Sequence, residues 1–238
     1  MLYSQLAELY QSLENTPKRL EKTSILSNFL KNLKPEDYQI LYLLQGRVFP
    51  DYNERELGIS TQLAIKALAK SSGLAEESIV KSWKKLGDLG LVAEQAKSSS
   101  KQSSLFKTKL TTSKVLENLR KLPELQGKGT VNKKLELISE LLMQASPLEA
   151  KYITRTLLSD LRIGSGEGVL RDSIASVFSL ESEKIQEAYD KLLDFAEVFE
   201  IASKNKLNSI SLSPGKPVKV MLYPKASSIA EAFETVGK

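Results

Sequence analysis

Lys133 and Lys134 follow closely on Gly127, Gly129 and Thr130, and a second glycine-rich turn, Gly164, Gly166 and Gly168, stands near Arg155 and Arg162. Glycine lets a backbone turn sharply, and a helix opening out of such a turn offers unpaired N–H groups to an anion. Basic side chains beside it add charge-assisted hydrogen bonds. The pattern is that of two phosphate grips. In the plainer reading the glycines cap helices and the cations line a solvated face, and pattern alone leaves both open.

These residues need helices to hold them. Leu135, Ile138, Leu142 and Ala145 recur at spacings of three and four, so Lys133 and Lys134 open an amphipathic helix. Pro147 suits the first turn of the next, with Ser146 as N-cap and Glu149 in the electropositive first turn. At roughly 100° per residue this second helix turns Ala150, Ile153, Leu157 and Leu161 to the core and gathers Lys151, Arg155 and Arg162 within about 40° of one another on the far side. The spacing therefore predicts a cationic stripe facing solvent.

The 238 residues contain neither cysteine nor histidine. That removes disulfides, ordinary zinc sites, thiol nucleophiles and imidazole acid–base chemistry. No carboxylates cluster at metal-binding or catalytic spacing. Apolar runs fall short of the roughly 18–20 residues that span a bilayer, and the start of the chain does not read as a signal peptide, so the expected compartment is the cytoplasm. Helical periodicity recurs while strand-like alternation is scarce, which predicts an all-α fold. Net charge is +5, but Lys97–Lys134 holds ten Lys or Arg against two Glu, a local excess of +8 that leaves −3 elsewhere. Such a basic segment is the footprint of a polyanion partner; the plainer reading is a solvated lysine-rich loop.

Leu2, Leu6, Leu9 and Leu13 line a first predicted helix, and Leu20, Ile25, Leu26, Phe29, Leu30 and Leu33 a second. Pro35 starts a third, closed by Gly46; helices over Thr61–Lys70 and Glu76–Leu86 follow, with Trp83 assigned to the core. The same order of parts then returns. Lys22, Ile25, Leu26, Phe29, Leu30 and Pro35 match Lys134, Leu137, Ile138, Leu141, Leu142 and Pro147 at one constant offset. Leu74, Ile79, Trp83, Leu86, Asp88, Leu89 and Val92 match Leu180, Ile185, Tyr189, Leu192, Asp194, Phe195 and Val198 at another, and Leu57-Gly58-Ile59 is similar to Leu161-Arg162-Ile163-Gly164. Two pseudo-symmetric halves, about 1–96 and 127–207, are thus expected to share one core and to be joined by a basic loop, 97–126. Residues 208–238 read as an extended exit segment and the start of another domain.

The ordered set GKGTVNKK, SPLEAKYITRTLLSDLRIG, GEGVLRDSI, RVFPDYNERELGIS, GDLGLVAEQ and PGKPVKVML strongly resembles the N-terminal DNA-binding domain of archaeal and eukaryotic type ATP-dependent DNA ligases, over essentially the whole chain. The resemblance implies a helical domain lying along the minor groove of nicked duplex DNA. Gly127, Gly129, Thr130, Lys133 and Lys134 would form one phosphate contact, and Arg155, Arg162 and Gly164 the other. Val220-Met221-Leu222-Tyr223 departs from the family's Pro-Met-Leu-Ala, and Asp194-Phe195-Ala196 from its Asp-Leu-Gly. The K-x-D-G motif whose lysine the family adenylates is absent from this chain. The resemblance therefore implies a fragment that cannot ligate alone and holds no cofactor, ATP and Mg²⁺ belonging to the full-length enzyme. Gln102, Leu105 and Phe106 resemble the sliding-clamp docking motif of some archaeal ligases, with one aromatic where two are usual. A monomer is expected, with nicked duplex DNA and a sliding clamp as partners and a nucleoid-associated location in an archaeal cell. The alternative from another class is a helical scaffold that docks a clamp or an acidic protein.

Overall fold

The computed structural model describes residues 1–99 and 109–212, together with 215, 217–219, 228, 229 and 233. Within them the chain is all-α: twelve α-helices and two short 3-10 turns, with no sheet among the described residues. The first five helices are α1 (Tyr3–Asn15), α2 (Arg19–Leu30), α3 (Ile40–Leu44), α4 (Thr61–Ser72) and α5 (Glu76–Leu86). Then come α6 (Leu89–Ser99), α7 (Thr112–Lys121), α8 (Thr130–Gln144) and α9 (Pro147–Leu157), and finally α10 (Glu167–Phe178), α11 (Ser182–Leu192) and α12 (Phe195–Ser203).

Three expectations are corrected. The stretch 97–126 is not a loop throughout: α6 runs on to Ser99 and α7 begins at Thr112, where the Thr111 hydroxyl accepts from the Lys114 N–H. Val115, Leu116, Leu119 and Leu122 form a buried face there, which the surrounding lysines obscured. The helix expected from Pro35 to Gly46 is split into a 3-10 turn, Pro35–Asp37, and the short α3. Leu20, expected to line α2, is 85% exposed, and Lys22 is buried instead.

One contiguous core holds residues from both halves, among them Tyr10, Leu41, Ile65, Tyr152, Ile174 and Phe195. Trp83 lies partly buried at its margin. Burial of each such side chain contributes about 1.5–3 kcal/mol. Helices that correspond in the repeat exchange partners: α2 packs on α10, and α8 on α4. The largest helix contact joins α6 to α9, and Gly90 makes it possible, since a Cβ there would lie 2.9 Å from the Lys151 carbonyl oxygen. The result is that α9 is central, with every residue from Glu149 to Leu157 buried.

Candidate nucleic-acid interface

The first turn is built as the sequence predicts. Gly127 (φ +84°) and Gly129 (φ +83°) both take the left-handed conformation that glycine adopts without steric cost, with open space around them. Thr130 closes the turn by donating its hydroxyl to the Gly127 carbonyl at 2.6 Å. Gly129 is the N-cap of α8 and offers no side-chain acceptor, so the helix start faces outward uncapped. Lys133 is exposed, while Lys134 is half-buried and donates to the Leu57 carbonyl at 3.4 Å, beside Gly58 (φ +59°).

The second turn is reached from α9, whose start carries a capping box: Ser146 Oγ accepts from the Glu149 N–H at 3.4 Å, and Glu149 accepts from the Ser146 N–H at 2.7 Å. The helix ends at Leu157, four residues short of Leu161, so Leu161 and Arg162 are not on it. Arg162 itself is left-handed (φ +56°) and 45% exposed, with Nε 2.6 Å from Asp160 and Nη1 3.7 Å from Asp88. Gly164 (φ +61°) follows, and a Cβ there would run into the Lys22 amine. No side chain caps the start of α10 at Gly166.

The expected cationic stripe is also corrected. Lys151 and Arg155 do lie together on one face of α9, but that face is covered: each is only 3% exposed. Arg155 is bound by Glu14 of α1 and by Asp88 at the start of α6, and Lys151 by Glu14 at 2.9 Å. Arg155 is therefore a buried bridge rather than a side chain offered to solvent, and only Arg162 of the three faces outward. Burial would raise the Glu14 carboxyl, but hydrogen bonds from Arg155, Tyr152 and Lys151 hold it down to about 2. Asp88 is likewise held low against its burial by Arg155.

Two cations were missed as site members. Lys22 reaches across from α2 to donate to the Ile163 carbonyl at 2.5 Å, directly behind Gly164. Arg19, 60% exposed, pairs with Asp172 at 2.7 Å beside the first turn of α10. The repeat carried the signal for Lys22, because it aligns with Lys134, and the two lysines brace corresponding glycine turns of the opposite halves. Gln102, Leu105 and Phe106 lie outside the described residues. Among the described residues no three acidic, His or Cys groups gather to hold a metal ion. No helix among them is long and apolar enough to cross a membrane.

Taken together, these observations define an all-helical module that presents two glycine turns, each flanked by cations, on uncapped helix starts. A family model described as DNA ligase N terminus matches residues 2–175, and the chain belongs to that family. A DNA ligase of Methanosphaera stadtmanae is 41% identical over 242 residues, covering 99% of this chain and 43% of its own length. DNA ligases of Nanoarchaeum equitans (39% over 241 residues) and Thermococcus fumicolans (40% over 241 residues) match all of this chain and 42% and 43% of themselves. The chain thus spans about two-fifths of these relatives.

Proposed function

We propose that the chain is the DNA-binding part of an ATP-dependent DNA ligase, gripping nicked duplex DNA along the minor groove without reading base sequence. The observation that carries this is the pairing of two uncapped glycine turns with cations: Gly127, Gly129, Thr130, the exposed Lys133 and the half-buried Lys134 in one, Arg162 and Gly164 in the other. Backbone N–H groups and cations at phosphates give affinity without sequence preference. The exchanged contacts of α2 with α10 and of α8 with α4 support a pseudo-two-fold relation between the Gly58 turn that Lys134 braces and the Gly164 turn that Lys22 braces, which would set the grips beside them on opposite strands of one duplex. In this reading the rest of the enzyme supplies ATP and Mg²⁺ chemistry for nick sealing in replication and repair, and this part acts as a monomer.

Fluorescence anisotropy of the chain with nicked and intact duplexes across a salt series tests the reading. Binding is expected to weaken linearly in log salt, and Lys133→Ala/Lys134→Ala to flatten that slope by roughly one to two counterions. A folded chain that ignores duplex DNA at low salt would instead be a protein-docking scaffold. Gln102, Leu105 and Phe106 are proposed as a clamp contact on the sequence motif, with the apolar pair filling a pocket. Leu105→Ala/Phe106→Ala is expected to abolish clamp capture in a titration and to leave DNA binding unchanged.

A further inference from the structure

Arg155 has no donor to spare. Its Nε meets Asp88 Oδ2 at 3.1 Å, and its Nη2 meets Asp88 Oδ2 at 2.6 Å and Glu14 Oε1 at 3.1 Å. Its Nη1 meets Glu14 Oε2 at 2.9 Å and the Leu161 carbonyl at 3.4 Å. A guanidinium carries five N–H groups, and five such contacts account for them. Its backbone is engaged as well, the Arg155 carbonyl accepting from the Asp160 N–H at 2.9 Å.

The same Asp88 carboxylate lies 3.7 Å from Arg162 Nη1, and Arg162 also donates to the Gly87 carbonyl at 3.3 Å. Asp88 therefore stands between a buried arginine that holds it closely and an exposed one that it barely reaches. We propose that Arg155 is a positioning residue for Arg162. By saturating Asp88 it stops that carboxylate from closing on Arg162. Arg162 keeps its Nε on Asp160 at 2.6 Å, and its Nη groups stay available to a phosphate because Arg155 has taken Asp88.

This inference rests on the phosphate-grip reading, and the experiment separates the two. Anisotropy with nicked duplex across a salt series is measured for Arg162→Ala, Arg155→Met, Arg155→Met/Arg162→Ala and Arg155→Met/Asp88→Asn, with helical content checked by circular dichroism. Arg162→Ala is expected to weaken binding about tenfold and to lower the salt slope by about one; if it does neither, the grip reading itself fails. Arg155→Met is expected to match Arg162→Ala, with no further loss when the two are combined, since both remove one contact. Adding Asp88→Asn to Arg155→Met is expected to restore binding, because the neutral amide no longer captures Arg162. Additive losses with a slope lowered by about two would make Arg155 a phosphate ligand in its own right. A folded Arg155→Met that binds as the unaltered chain does, or a loss that Asp88→Asn leaves unrepaired, overturns the proposal. Should Arg155→Met not fold alone, Arg155→Met/Asp88→Asn, with both buried charges removed, carries the test: near-normal affinity supports the positioning role and weakened binding refutes it.

Discussion

Asp88 and Asp194 occupy matching places in the repeat, and each caps the helix that follows: Asp88 accepts from the Gly90 N–H and Asp194 from those of Ala196 and Glu197. Their surroundings differ. Asp88 faces the Arg155 guanidinium, whereas Asp194 receives the neutral Tyr42 hydroxyl at 2.9 Å, and burial pushes its carboxyl up. Asp88→Asn should lower the melting temperature at neutral pH, since it breaks a buried charge pair and leaves Arg155 half-paired. Asp194→Asn should be neutral or stabilising, because an amide keeps the cap and removes a buried charge that no salt bridge pairs among the described residues. Equal losses in the two melts would contradict the distinction. Acid provides a second test at Glu14. The unfolded chain protonates it near its ordinary 4.5 while the folded chain resists until about 2, so its contribution is present above 4.5 and lost as pH falls through that window. Urea midpoints from pH 6 to 3 should fall less steeply for Glu14→Gln than for the unaltered chain.

At the scale of elements, caps and turns were the features most readily read from residue types. Ser146, Pro147 and Glu149 announce the start of α9, and Ser146→Ala should cost about 1 kcal/mol in denaturant unfolding. Gly164→Ala should cost roughly 1–2 kcal/mol for its left-handed backbone, and it should also weaken DNA binding by displacing Lys22. Helix α7 was illegible for a local reason. Its ten residues sit in a run whose serines and lysines outweigh four buried aliphatic side chains, so composition spoke louder than period. The end of α9 was hidden differently: the sequence stays compatible with helix through Arg162, and it is the left-handed turn at Ser159 that stops it.

At the scale of the whole molecule, both halves contribute to one core, and α9 is covered by α1 and α6. Neither half has its own closed interior, so unfolding should be a single transition in which Trp83 fluorescence and helical dichroism coincide. The sequence by itself determined the all-helical class, the start of α8, the cap of α9, the two glycine turns and the family, because each depends on neighbours within a few residues or on ordered motifs. Only the tertiary structure decided which cations face outward. Period fixes the angle at which Arg155 leaves its own helix; it says nothing of Glu14 and Asp88, brought from α1 and from the turn before α6, which close over that side and turn an expected surface stripe into a buried bridge.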